Sequence, residues 1–243
     1  YKKSYQYNPR YLDNFEKYKQ NKELSMQKIL YFDIKSEYNY YNVGSLLKNN
    51  IISELTKDSE IMEFTTFING DSKNLKKSSI LSKTFTENEL KENNYFLDIE
   101  VSSISFPRIN PTTTYKSKTW YEVSKNVNGI IKKDSILTLP KTLDLNATYT
   151  ENKYTEIKTY KESSVKMILT YKLIDLKTKN LIKNGSINDE VKDSHTSTTF
   201  IGSVYPNEYP VSDRSLASDS NLLESISSKI SEKLKNELKP VLE

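Results

Sequence analysis

The chain has 243 residues, enough for one large core or two small ones, and its 35% hydrophobic and 11% aromatic content lies outside the disordered range. Its 36 basic and 32 acidic residues leave a net charge of +4, carried by lysine apart from Arg10, Arg108 and Arg214, so a nucleic-acid partner is not expected where bidentate arginine contacts would be needed. Cysteine is absent, which excludes disulfides and thiolate metal sites and leaves the fold to rest on its core.

Residues 1–27 are polar and tyrosine-rich (Tyr1, Tyr5, Tyr7, Tyr11, Tyr18), with a short helix after Pro9 through Leu12, Phe15, Tyr18 and Lys19, and read as an N-terminal arm. The start at Tyr1, without methionine or a signal-peptide pattern, reads as trimmed, with removal of a leader bearing a lipidated cysteine as an open alternative. Residues 28–243 read as a single α/β domain. Its first element is a strand, Lys28 to Ile34 (KILYFDI), followed by a helix in which Val43, Leu46, Leu47, Ile51 and Leu55 recur at helical spacing. Ile61 to Phe67 reads as a second strand, completing a β-α-β unit with parallel pairing.

Asn69 to Lys83 is a polar loop, and Thr86 with Glu89 forms a capping-box pattern for a short helix that Asn93 and Asn94 end. From Tyr95 the apolar positions alternate through Leu97, Ile99 and Val101, then resume at Ile104 and Phe106, a phase slip that calls for a bulge near Ser102 and Ser103. Pro107 and Pro111 are expected to close that strand. The stretch 107–161 reads as a long irregular insertion holding a strand from Thr119 to Val127 with Trp120 in the core, a turn at Gly129, and an exposed or edge strand from Thr148 to Thr159.

In Val165, Met167, Leu169, Tyr171 and Leu173 every second residue is apolar, the period of a strand with one buried and one wet face. Asp175 to Asn180 turns the chain, and Leu181, Ile182 and Ile187 begin the return strand of a hairpin. Thr198 to Val204 reads as a further strand. Tyr205 to Pro210 is a loop, because its prolines cannot donate to a ladder. A final amphipathic helix starts near Ser220 or Asn221 and buries Leu222, Leu223, Ile226, Ile230, Leu234 and Leu238, with Pro240 at its end. The fold class is thus α/β of the α+β kind: a mixed sheet opened by a β-α-β unit, with a C-terminal hairpin and a closing amphipathic helix.

His195 is the only histidine and sits in a polar stretch read as a solvated loop, with no nucleophile-elbow pattern near it. One histidine and no cysteine argue against a transition-metal centre. The glycines, Gly44, Gly70, Gly129, Gly185 and Gly202, are too dispersed for a phosphate-cradling loop, so no cofactor is expected. Asp98 and Glu100 share one strand face and Asp33 follows an apolar strand, so these carboxylates are either a hydrolytic set or solvated side chains. Tyr205, Pro206, Tyr209 and Pro210 are the partner-binding candidates, since tyrosines held between prolines present rigid amphipathic area; the alternative is a loop packed over the C-terminal helix.

The run SVKMILTYKLIDLKTKNLIKNGS, with Asp175, Thr178, Leu181 and Gly185 at its turn and return strand, together with the KILYFDI strand and the Val43 to Leu55 helix, resembles the bacterial envelope lipoproteins related to CsgG and LpoB. Lys179 or Asn180 stands where that family's turn usually has glycine. The resemblance implies a non-enzymatic periplasmic or cell-envelope domain, anchored to the outer membrane through a lost N-terminal lipid, that binds another envelope protein or self-associates into an oligomer. The alternatives are a carboxylate-dependent hydrolase of an envelope polymer, with Asp33, Asp98 and Glu100 converging in one cleft, and a small-ligand domain with an aromatic-lined pocket.

Overall fold

The computed structural model describes residues 12–34, 36, 42–70 and 87–242. The tyrosines before Leu12, the loop 71–83 and the Thr86 cap lie outside the described residues. The chain forms two compact units, one of residues 1–106, 165–191 and 219–243, the other of residues 107–164 and 192–218. The stretch 107–161, expected as an irregular insertion, therefore supplies most of a second unit, and it is largely strand. Its threonines, tyrosines and lysines hide the apolar alternation that marks a strand, but β-branched and aromatic residues still pair well across a ladder.

In the first unit, α1 (Leu12–Ser25) precedes β1 (Gln27–Tyr31), which is flanked in parallel by β2 (Thr65–Asn69) and β3 (Tyr95–Ser105). β3 runs antiparallel to the second half of β6 (Ala147–Asp175), and β7 (Leu181–Gly202) pairs with β6. Helix α2 (Val43–Lys57) connects β1 towards β2, as the β-α-β reading requires. A bulge between Val101 and Ser103 corrects the phase of β3 where the slip called for one.

Residues Ile61 to Phe64 are helical rather than extended, in a short α3 (Ser59–Phe64) that delays β2 to Thr65. The cause is local. The Asp58 carboxylate accepts from the backbone N–H of Glu60 (3.0 Å) and Ile61 (3.3 Å), and such an N-cap outweighs the strand preference of a short apolar run. The Lys239 side chain, donating to the other Asp58 oxygen at 3.1 Å, is the first cause that holds this carboxyl below its usual range. Helix α4 (Glu87–Glu92) ends where Asn93 begins the approach to β3.

The β6 residues Val165, Met167, Leu169, Tyr171 and Leu173 are all buried, while Lys166 and Lys172 between them are exposed. Helix α5 (Asp219–Leu242) covers this face and packs against α2; it buries all six residues expected from its spacing and adds Ser227, Ser231 and Leu242. The Tyr171 hydroxyl donates to Glu237 Oε2 at 3.3 Å across that contact, and burial, reinforced by Glu237, pushes it up to about 12. A Cβ on Gly185 would lie 2.7 Å from the Tyr171 hydroxyl, so β7 can pass beside that ring only because this residue has no side chain. Leu30, Phe32, Phe96, Ile174 and Leu176 form a separate buried apolar cluster.

The hairpin turn is organised by Asp175, whose Oδ1 accepts from the Lys177 and Thr178 N–H groups, each at 2.8 Å. Lys179 takes φ 60°, the left-handed conformation that glycine adopts without cost. The return strand then continues without a break to Gly202, so His195 lies within β7 and not in a loop, and Thr198 to Val204 is not a separate strand. Pairing with β6 sustains extended backbone through a sequence too polar to announce it.

In the second unit, β4 (Arg108–Val127) pairs antiparallel with β6 from Arg108 opposite Ser163 to Lys125 opposite Ala147. Pro111 lies inside β4 instead of ending a strand, at a register shift between Ile109 and Thr112 that accommodates its missing donor. Thr148 to Thr159 is not an edge: β4 pairs along one side, and the Lys153 carbonyl accepts from Ser203 N–H at 3.1 Å. The edge strand is β5 (Ile130–Ile136), joined to β4 by Asn128 (φ 54°) and Gly129 (φ 82°), the two positive φ values of a tight hairpin turn.

Residues 203–218 return along β7. Thr198 bridges Val211, the Arg214 guanidinium clamps the Asp193 carboxylate at 2.6 and 3.0 Å, and Ala217 N–H donates to Asp193 at 2.7 Å. Arg214, as the largest cause, holds the Asp193 carboxyl down at about 2. A return segment fastened in this way protects a strand that would otherwise offer open donors and acceptors.

Leu234 is fully buried on the inner face of α5, and Leu234→Ala is expected to lower the unfolding free energy of the chain by roughly 2–5 kcal/mol. Urea denaturation followed by circular dichroism measures the shift; an unchanged midpoint would contradict the closing role of this helix.

Candidate functional site

The loop Tyr205 to Pro210 belongs to the second unit and packs on its own sheet. The Tyr205 ring meets the edge of Trp120 (centroids 5.9 Å apart, planes at 69°), and its hydroxyl donates to the Ser135 carbonyl at 3.4 Å. Trp120 is buried as expected and donates from Nε1 to the Ser203 carbonyl at 2.6 Å. Glu208 N–H closes a turn onto the Tyr205 carbonyl at 2.9 Å. Of the candidate residues, Tyr205 is therefore a half-buried brace, Pro206 and Pro210 are exposed, and Tyr209 stands 75% exposed.

A second tie comes from Glu208, which sequence reasoning did not single out. Its Oε1 accepts from Lys118 Nζ at 2.7 Å and from the Tyr154 hydroxyl at 3.2 Å. Lys118 is shared with the buried Glu156 (3.2 Å), which also pairs with Lys158 (3.3 Å). Burial pushes the Glu156 carboxyl up, and Lys118 and Lys158 more than reverse it. Lys118 is raised far above its ordinary value, chiefly by its bond to Glu208, and Glu208 is lowered chiefly by Lys118. The lysines and the carboxylates thus stabilise one another's ionised forms. Such a group braces a loop and does not resemble an acid and base poised to exchange protons.

Of the other candidates, Asp33, Asp98 and Glu100 belong to the first unit and His195 to the second. Asp33 is exposed and pairs with Lys48 at 2.5 Å, and Lys48 also donates to Asn69 at 3.0 Å. On β3, Asp98 stands opposite Lys172 and Glu100 opposite Thr170. His195 Nε2 lies 2.8 Å from the Ser212 carbonyl, where it helps hold the return segment on β7. Among the described residues, no group of three or more histidine, aspartate or glutamate side chains is placed to hold a metal ion.

The second unit carries a groove and an exposed hairpin tip as well. An open groove of about 460 Å³ is lined by Val123, Lys125, Val127, Lys132, Ile136, Pro140 and Tyr149 among others, with one aromatic ring in its wall. At the β4–β5 turn, Ile130 and Ile131 are both about two-thirds exposed. The run Val127-Asn128-Gly129-Ile130-Ile131 carried the signal for this hairpin, an Asn-Gly pair between strand formers.

No protein-family model matches the chain, and no curated protein matches it. Among solved structures, a dodecameric PelC variant from Paraburkholderia phytofirmans aligns at 10% identity over 89% of this chain and 90% of that one, with a TM-score of 0.34. A neuraminyllactose-binding hemagglutinin homolog from Helicobacter pylori aligns at 10% identity over 90% of this chain and 86% of that one, with a TM-score of 0.39. These likenesses are too distant to inform the site.

Because Glu208 is held ionised below the ordinary carboxylate range, its tie to Lys118 is present at neutral pH and is lost as the pH falls through that lowered value. Glu208→Gln is expected to reproduce the acid effect at neutral pH, with faster amide exchange over residues 205–211. Hydrogen exchange with mass spectrometry checks this; unaltered exchange in the variant would remove Glu208 as the brace.

Proposed function

We propose that this chain is a non-catalytic protein-binding or assembly module of the bacterial cell envelope, with Tyr209 as the anchor of its interface. The observation that carries the reading is the pairing of exposure with rigidity. Tyr209 projects 75% exposed from a loop fixed immediately before it by Glu208 and further back by Tyr205. A pre-positioned aromatic side chain loses little entropy on docking and brings large contact area, the profile of a binding hot spot. The envelope setting follows from the resemblance of the β6–β7 turn to the CsgG- and LpoB-related lipoproteins. An N-terminal lipid anchor in the periplasm belongs to the same proposal. The partner is another envelope protein or a second copy of the chain.

Capture from a detergent-solubilised envelope extract with the tagged full chain, read by mass spectrometry, tests this proposal. Tyr209→Ala is expected to weaken the enriched partner's binding by about 30-fold, the loss typical of an anchor residue, without changing the circular dichroism spectrum. Tyr205→Ala is expected to weaken it less directly, through a loosened loop. Light scattering on the purified chain reports self-association. If no protein is enriched and the chain stays monomeric, or if Tyr209→Ala captures the same partner equally well, the proposal fails.

A further inference from the structure

The β4–β5 hairpin ends in a tip that carries exposed aliphatic side chains on both faces. Its register sets Val127 opposite Ile130, Asn126 opposite Ile131, Lys125 opposite Lys132 and Ser124 opposite Lys133. Neighbouring residues of a strand point to opposite faces, so Ile130 and Val127 lie on one face and Ile131 on the other. All three are exposed, at 65%, 41% and 67%. A docked protein surface covers one face of a two-stranded ribbon. Covering both requires a medium that closes around the tip.

The lysines behind the tip narrow the choice of medium. Lys125 and Lys132 follow the aliphatics on one face and Lys133 on the other, and residues 125–133 include no acid. Lys125 and Lys132 stand directly opposite each other, a cross-strand pairing of like charges that is unfavourable on its own. Acidic groups do face this belt: Asp144 pairs with Lys125 at 2.8 Å, Glu122 with Lys133 at 2.9 Å, and Asp134 is the next residue of β5. Both ion pairs are partly exposed, with side chains between 32% and 63% accessible, and pairs open to solvent contribute little and yield to another anion. The Lys125–Asp144 pair also holds the β5–β6 loop beside the hairpin, with Leu143 and the almost fully exposed Leu145 on either side of Asp144.

We propose that this tip inserts into the interface of a lipid bilayer that carries anionic headgroups. Three to four residues of rise separate Lys125, Lys132 and Lys133 from Asn128 and Gly129 at the turn, about 10–13 Å. Interfacial insertion reaches roughly 5–10 Å, so the aliphatics enter the acyl boundary while the lysines remain at headgroup level. The contact is separate from Tyr209 and does not depend on a lipid anchor.

The chain has no cysteine, so Ile130→Cys and Ile131→Cys each give the full chain a single site for an environment-sensitive fluorophore. Asn184→Cys, on an exposed position of β7, is the control. With vesicles of phosphatidylethanolamine and phosphatidylglycerol, both tip labels are expected to shift to the blue and the control to stay unchanged. Ile130→Asp/Ile131→Asp is expected to abolish co-flotation of the unlabelled chain. Lys125→Gln/Lys132→Gln/Lys133→Gln is expected to lower its partition by tenfold or more, at roughly fivefold per lysine. Several results would overturn the proposal: no shift at either label, a shift at only one of them, equal binding to vesicles of phosphatidylcholine alone, or charge-independent flotation. Labels silent to vesicles but shifted by added soluble protein would assign the tip to a protein partner instead.

Discussion

Contact between one face of β6 and the apolar stripe of α5 is what the first unit depends on. Val165, Met167, Leu169, Tyr171 and Leu173 present a continuous apolar row, and α5 answers with Leu222, Leu223, Ile226, Ile230, Leu234 and Leu238. Fully burying each such side chain contributes about 1.5–3 kcal/mol, so this contact outweighs any polar interaction in the unit. The close fit explains smaller details. Gly185 is needed because the Tyr171 ring occupies the space of a side chain, and Lys179 bears a left-handed backbone because Asp175 has already organised the turn.

The second unit is built on other terms. Few of its strand residues are aliphatic, and its buried side chains include Trp120, Tyr154 and the ionised Glu156. Long ladders satisfy the backbone, and the charges that burial would penalise are held by shared partners, with Lys118 between Glu156 and Glu208. Removing one member of such a network leaves another unpaired, so a group of this kind gives a loop a defined position more than it adds net stability. The order of the Tyr205 to Pro210 loop comes from these ties and from the Trp120 ring, not from its prolines alone.

Both surface features that point to binding, the Tyr209 ring and the Ile130–Ile131 tip, sit on segments that the second unit braces. Rigid support under exposed apolar groups reduces the entropy lost on association. The two features differ in what they ask of a partner. A single tyrosine on a fixed loop suits a shaped protein surface, whereas a ribbon with exposed aliphatics on both faces and lysines behind them suits a fluid, anionic one.

From the sequence alone, the alternation of Val165 to Leu173, the stripe of α5, the parallel β1–β2 unit and the bulge after Val101 were legible, because burial on one face imposes a strict period. Local chemistry could have revealed α3 through Asp58, and the Asn128-Gly129 hairpin, but neither depends on apolar period. Only tertiary structure decided that Thr148 to Thr159 lies inside a sheet, that β7 runs unbroken through His195, and that Glu208 reaches Lys118 from 90 residues away in the chain. Those outcomes rest on hydrogen-bond ladders and on charges paired over long separations, and neither leaves a periodic mark in the order of residues.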